Sequence, residues 1–336
     1  MNEKKFSILV VDDVRANRVV TEKILSNEGY DVLTAEDGLN ALEILNKNSE
    51  IDLILLDVMM PEMNGYETCK RIKSISKKLQ EIPIIFLTAV SHIEGITKGF
   101  EAGGNDYIVK PFQKIELLAR VKTHLNIKYI KDKEIEQTQK ELIFMLSQLT
   151  DAHSKESATH IKRVSEYAKL FALLLGYDRK HAETFELAAA MHDIGKIGIS
   201  DTILNKKGRL TGEEIHVMQK HTTIGYSILS ESKRPLLRAA AIVAHQHHEK
   251  WNGMGYPLGL KGEEIHILGR VTAISDVFDA LDTKRSYKEK WPLNDIFAFI
   301  KTERGKHFDP KLVDMFVDNF GLFMEIRDKF PNHIAG

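Results

Sequence analysis

The chain has one cysteine, Cys69, in 336 residues. A single thiol excludes an intramolecular disulfide and a cysteine-based metal site, and it fits a reducing compartment. An excess of either charge is also missing. Lys and Arg total 47 against 48 Asp and Glu, for a formal net charge of -1. Nothing surplus is left to neutralise a phosphate backbone, so DNA is not an expected partner, although a local basic pocket fits the total. No apolar stretch approaches the roughly 18 residues that a membrane span needs. The opening MNEKKFSILVVDD meets two aspartates too soon for a secretory signal. These absences lead us to expect a cytoplasmic chain with no membrane partner.

What is present is ordinary in bulk and uneven in detail. Hydrophobic residues at 43% and charged residues at 28% describe a globular protein long enough for two domains. The fourteen histidines are the unusual total. Only His92 and His124 precede residue 150, so the two halves are expected to carry different chemistry.

The first half alternates two periodicities. FSILVVDD, IDLILLDVMMP and IPIIFLTA are β-branched-rich apolar runs bounded by acidic or turn residues, as buried parallel strands are. Between them Val19, Ile24 and Leu25, then Leu39, Leu42 and Leu45, recur at helical spacing. This predicts a doubly wound α/β domain with a five-stranded parallel sheet, whose sites form at the carboxyl ends of the strands. From about residue 114 the pattern turns helical. Ile135, Leu142 and Leu149 fall seven apart with Met145 between them, which fits a long connecting helix and a homodimer contact along it. After residue 148 helical segments separated by Gly-containing loops predict an all-α domain. The expected division is residues 1–125, a helical linker 126–147, and residues 148–336.

Asp12 and Asp13 end the first strand, Asp57 ends the third, Thr88 closes the next, and Lys110 lies near the end of the last. A lone strand-end aspartate is ordinarily a helix cap. Strand ends that converge on one rim instead gather carboxylates, a hydroxyl and an ammonium. Mg²⁺, a hard cation that prefers oxygen ligands, relieves the repulsion among such carboxylates. A carboxylate beside Mg²⁺ and a lysine can attack a phosphoryl group. With LLDVMMPEMNGYE and GGNDYIVKPF, residues 5–125 closely resemble the receiver domain of bacterial response regulators. That resemblance implies that Asp57 is the phosphoacceptor and that Asp12 and Asp13 hold Mg²⁺ with it. It further implies that Thr88 and Lys110 contact the phosphoryl group, that Tyr107 is a switch aromatic, and that a sensor histidine kinase is the partner. Gly103-Gly104 stands where the family usually has Gly-Ala.

The second half supplies KESATHIKRV, AAAMHDIGKIGISD, MQKHTTIG, AHQHHEKWNGMGYP and TAISDVFDAL. Glu156 and His160, four apart, share a helix face. The adjacent pairs His192-Asp193 and His247-His248 can straddle two ions at a helix end, one group to each or a carboxylate bridging both. His221 lies in a helical segment four residues before Gly225, and Asp276 lies in an apolar run where an unpaired carboxylate is costly. His181, His216, His266 and His307 read as ordinary half-buried residues, and His245 as ambiguous. The remaining eight groups exceed one four-coordinate ion and fit two, with Glu156 as an extra group for a third. Nitrogen and oxygen donors without thiolate suit iron, manganese or zinc, and we expect iron or manganese ahead of zinc.

HDIGK in this company resembles the HD superfamily of metal-dependent phosphohydrolases, and HHEKWNGMGYP narrows the resemblance to the HD-GYP subfamily over residues 150–325. DVFDALDTKRSY and GKHFDP extend it. The resemblance implies a cyclic di-GMP phosphodiesterase that yields pGpG and, in many members, GMP. In this reading Asp193 and Lys196 are catalytic, Lys196 by neutralising phosphate charge. Gly255 and Tyr256 form the substrate loop, and Arg285 and Lys288 grip a second phosphate or a guanine. Asn252 replaces the family's Asp, which is expected to alter the loop's position, and Ser286 replaces a frequent proline and Gly269 a frequent alanine, both expected to loosen a turn. Two further readings are a cyclic-dinucleotide-binding adaptor with little turnover, and an enzyme preferring pGpG or another cyclic dinucleotide.

Overall fold

The computed structural model describes residues 5–47, 50–89, 93–154, 158–283 and 290–331. The chain divides into two compact units, Met1–Glu136 and Gln137–Gly336.

The first unit is built on strands β1 (Ser7–Val11), β2 (Asp31–Ala35), β3 (Leu53–Asp57), β4 (Ile84–Thr88) and β5 (Asp106–Val109). They form one parallel sheet in the order β2-β1-β3-β4-β5. β1, β3 and β4 are buried almost throughout, which is why they read as continuous apolar runs rather than as alternating ones. Helices α1 (Arg15–Ser26), α2 (Gly38–Lys47), α3 (Gly65–Ile75), α4 (Lys77–Gln80) and α5 (Ile93–Glu101) connect them. The sheet separates two apolar layers, one around Leu9, Ile54 and Phe86, the other around Val10, Leu55 and Leu117. Helix α6 runs unbroken over Lys114–Ser154, and the boundary between the units falls within it.

The second unit is helical: α7 (Ala158–Leu174), α8 (Arg179–Ala190), α9 (Asp201–Leu204), α10 (Gly212–Gln219), α11 (His221–Ser230), α12 (Pro235–Gln246), α13 (Ile267–Asp282), α14 (Leu293–Thr302), α15 (Pro310–Asp318) and α16 (Phe320–Lys329). Its core joins Phe171, Phe278, Phe316 and Phe323 to small residues such as Ala189 and Ala244. No described helix is long and apolar enough to cross a membrane.

Glycine at two positions sets how close the helices come. A Cβ on Gly195 would meet the carbonyl oxygen of His221 at 1.9 Å, and one on Gly225 would meet Ala244 Cβ at 3.1 Å. The 3-10 turn Ile194–Gly198 therefore lies against the start of α11, and α11 against α12. Gly269 acts in the same way. It lies in the first turn of α13 rather than in a loosened loop, and a Cβ there would meet Gln246 Cβ at 2.8 Å.

Candidate metal centre and phosphoacceptor pocket

In the first unit Asp12, Asp13 and Asp57 each offer an oxygen within 4.8 Å of the others. Lys110 Nζ lies 2.6 Å from Asp12 Oδ2 and 2.8 Å from Asp57 Oδ2, and Asn17 Nδ2 donates to Asp12. Burial pushes the Asp57 carboxyl above its ordinary range even though Lys110 pulls it back. Thr88 is buried at the end of β4. A small cavity beside it is also lined by Tyr107, whose half-buried ring packs edge-on against Phe100. Gly104 is accounted for locally, since a Cβ there would meet the buried Phe86 ring at 2.3 Å.

In the second unit seven of the eight candidate ligands form two adjoining clusters: Asp193, His221, His247 and His248, and His160, His192 and Asp276. The eighth, Glu156, lies outside the described residues, as do Arg285, Ser286 and Lys288. His247 and His248 fall in one cluster, so it is the His192-Asp193 pair that straddles the two. Asp193 faces both ways. Its Oδ2 is 3.1 Å from His192 Nε2, and its Oδ1 is 3.4 Å from His221 Nε2 and 3.7 Å from His247 Nε2. On the other side His160 Nε2 is 3.5 Å from Asp276 Oδ1.

The imidazoles are presented by helix ends. His192 follows α8, His247 caps α12, and His221 follows α10, positions where the last carbonyls of a helix lack intrahelical partners. His192 Nδ1 lies 2.9 Å from Ala189 O, His221 Nδ1 2.8 Å from Met218 O, and His247 Nδ1 3.0 Å from Val243 O. A carbonyl oxygen can only accept, so each Nδ1 carries the hydrogen, and the neutral rings of His221 and His247 turn a bare Nε2 inward. Two such atoms, on His221 and His247, stand 3.4 Å apart. Lone pairs facing one another, next to a buried Asp193 Oδ1 that lacks a hydrogen-bond donor, fit a cation between them.

Charge at the centre points the same way. Burial is the largest cause that lowers His221, and that lowers His247 and His248 well below the ordinary imidazole value, so these rings stay neutral and able to ligate. At His192 burial works downward too, but Asp193 and Asp276 outweigh it and raise the ring to about 10. The carboxylates thus draw positive charge to this point. Burial alone would raise Asp193, but Lys196 and the imidazoles hold it well below the carboxylate range. Lys196 Nζ lies 2.7 Å from Asp193 Oδ2.

The loop after α12 closes one side. Tyr256 stacks on His248 with centroids 4.7 Å apart. A Cβ on Gly255 would meet the Lys250 amide nitrogen at 2.3 Å, so the chain turns back on itself only with glycine here. The buried Glu249 accepts from the amides of Leu258 and Leu260 at 2.7 and 3.0 Å and staples the loop down. The sequence assigned Glu249 no role, since a glutamate after two histidines carries no sign of the amides it accepts from. Asn252 Oδ1 accepts from the Met254 amide, its backbone pairs with Lys261, and its own backbone amide donates to the Lys306 carbonyl at 2.8 Å, so it holds the loop in place. His245 turns away from the centre and stacks on Tyr226.

A parallel sheet with an acidic rim, followed by a helical domain that converges histidines and aspartates, defines a phosphoacceptor domain joined to a hydrolase-type metal centre. Residues 8–122 match the response regulator receiver domain and residues 138–312 match the HD domain. A probable cyclic di-GMP phosphodiesterase of Vibrio cholerae is 38% identical over 97% of this chain and 80% of its own length. The cyclic di-GMP phosphodiesterase response regulator RpfG of Xanthomonas campestris is 34% identical over 98% of this chain and 92% of its own. A 3'3'-cGAMP-specific phosphodiesterase of Vibrio cholerae is 42% identical over 59% of this chain and 38% of its own length. The chain belongs to the family of response regulators that join a receiver domain to an HD domain, and its HD domain is a divalent-metal-binding one.

Proposed function

We propose that this protein is a metal-dependent phosphodiesterase that hydrolyses cyclic di-GMP to pGpG, under control of phosphorylation at Asp57. The observation that carries the metal-dependent part is the His221–His247 pair, whose Nε2 atoms face one another beside the undonated Asp193 Oδ1. The substrate is supported by the two relatives that share nearly the whole chain and are named for cyclic di-GMP.

In this reading Asp193, His221, His247 and His248 would hold one ion and His160, His192 and Asp276 a second, with Asp193 placed to serve both. Glu156 is kept as a donor to a third. The nitrogen and oxygen donors suit iron, manganese or zinc, and we take iron or manganese ahead of zinc. When bound, such ions supply positive charge for a phosphodiester oxyanion and acidify water. Lys196 neutralises charge that develops on the phosphate and orients Asp193. Gly255 and Tyr256 bring the loop backbone and an aromatic ring to the nucleotide, and Arg285 and Lys288 bind its far phosphate or guanine. In the first unit Asp12, Asp13 and Asp57 hold Mg²⁺, with Thr88 and Lys110 on the phosphoryl group and Tyr107 as the switch. A sensor histidine kinase is the donor, and the chain itself is cytoplasmic. The exposed Ile135, Leu142, Met145 and Leu149 along α6 support a homodimer contact through a linker at residues 126–147.

The test is metal analysis and turnover on one purified sample, with cyclic di-GMP, pGpG and 3'3'-cGAMP compared. We expect cyclic di-GMP to be cleaved fastest, and His192→Ala and Asp193→Ala to abolish cleavage. Preference for 3'3'-cGAMP would reassign the substrate, and a metal-loaded protein that cleaves none of the three would remove the enzyme reading.

A further inference from the structure

Three inward-facing histidines are oriented by carbonyls at helix C-terminal ends, and His160 is presented from the other kind of helix end. It lies in the first turn of α7, where the unpaired backbone groups are amides rather than carbonyls. Its Nδ1 instead lies 2.8 Å from Asp279 Oδ2. Asp276 and Asp279 are three apart on α13 and so share a face. They bracket the imidazole, Asp276 on the Nε2 side at 3.5 Å and Asp279 on the Nδ1 side.

Asp279 is only 1% exposed, and a buried carboxylate needs a compensating charge. Arg163, one turn beyond His160 on α7 and 2% exposed, supplies it. Arg163 Nε donates to Asp279 Oδ1, and Arg163 Nη2 donates to Asp279 Oδ2 at 2.9 Å. The guanidinium is itself fixed by Thr159 Oγ1, Thr283 Oγ1 and the Phe330 carbonyl at 2.9 to 3.1 Å. Both oxygens of Asp279 are thus occupied, and the His160 ring stands between them and the cluster. Asp279 is not placed to ligate.

We infer that Asp279, held by Arg163, is a positioning residue of the metal centre: it fixes His160 as the Nδ1–H tautomer and aims Nε2 at the ion shared with His192 and Asp276. This rests on the reading of His160 as a ligand. A carboxylate does here what carbonyls do for the other three rings, and it also makes the imidazole a stronger donor. The ion on the His160 side therefore depends on Asp279, and the ion on the His221 side does not.

The test uses the full chain and Mn²⁺ alone, with affinity read by competition against a chromophoric chelator, metal content after dialysis, and thermal melting of the metal-free protein. Asp279→Asn keeps one acceptor but adds an amide that can donate to Nδ1 and select the wrong tautomer. We expect it to weaken one ion by about 10- to 100-fold and leave the other unaltered. Because Asp279→Asn leaves Arg163 buried without its counter-charge, the double substitution Asp279→Leu/Arg163→Met is made beside it. It removes both charges at similar volume, a change that buried ion pairs tolerate, and should show the same selective loss. His160→Ala should lose the same ion with the Asp279–Arg163 pair intact. A double variant that melts like wild type and holds both ions at wild-type affinity overturns the inference. A wild-type chain with no ion at this cluster overturns it together with the reading it rests on, whereas loss of both ions equally would reduce Asp279 to a structural role and also overturn it.

Discussion

The two candidate cation sites of this chain sit at opposite kinds of element end and use different donors. The first gathers carboxylates at the ends of parallel strands, with Asp13 exposed and Lys110 already within 2.8 Å of both Asp12 and Asp57. A lysine built into the pocket offsets much of its charge, so a hard cation adds to a balanced site and exchanges readily. The second gathers imidazoles at helix ends, nearly all buried, with His160, His192, His221 and His247 pinned through Nδ1. Lys196 neutralises the Oδ2 side of Asp193, and among the described residues no hydrogen bond reaches Oδ1. Neutral imidazoles with inward lone pairs suit a divalent metal ion, and in our reading it is a softer one, held tightly. The contrast fits a switch that must be reset and a catalyst that must stay loaded.

The comparison breaks most sharply at Asp193. Asp193→Ala removes the carboxylate shared by both clusters, and we expect hydrolysis at background with Asp57 still phosphorylated by a small phosphodonor, read on a phosphate-affinity gel. Hydrolysis at wild-type rate in that variant would show that the helical cluster is not the reacting centre. Lys196→Met is the next largest effect. It should lower kcat by roughly 10²- to 10³-fold, the scale for loss of one charge-stabilising group, with metal content unaltered. A fall in metal content would instead make Lys196 a support for Asp193.

A smaller effect concerns α6. Glu186 is fully buried and takes Lys140 of α6 at 2.8 Å and Lys169 at 2.6 Å. Burial works to raise this carboxyl, but the two lysines outweigh it and hold it below its usual value. A lowered folded value gives stability that is complete above the unfolded value near 4.5 and fades as pH falls through the folded one. Glu186→Gln should cost about 3 kcal/mol near neutrality, the low end for a broken buried pair because both lysines keep some solvent. The difference from wild type should shrink below pH 4 in urea titrations. A difference unchanged with pH would exclude the ion pairs as its cause. Smallest, Gly269→Ala should cost about 1–3 kcal/mol by overpacking against Gln246, seen as a lower melting temperature with hydrolysis retained.

Much of this was legible before any fold was drawn. Continuous apolar runs ending in Asp12, Asp57 and Thr88 could only be buried strands with their acids at one rim. Eight candidate ligands, more than one four-coordinate ion can take, pointed to two ions. Other features were out of reach because they depend on which way a helix faces. Asp276 and Asp279 lie in the same apolar run, and periodicity puts both on one face without saying which side of His160 each meets. Adjacent imidazoles could straddle two ions or share one, and only the end geometry of α12 puts both in the Asp193 cluster. Gly269 looked like a loosened turn because a missing side chain gives no sign of the Gln246 it admits.

The contrast between the two sites is tested most directly by elemental analysis of the wild-type chain after exhaustive dialysis without chelator. The account predicts two retained transition-metal ions per chain, one for each helical cluster, with magnesium lost, and both ions gone in Asp193→Ala. Retained magnesium with no transition metal, or transition metal that washes out as readily as magnesium, would contradict it.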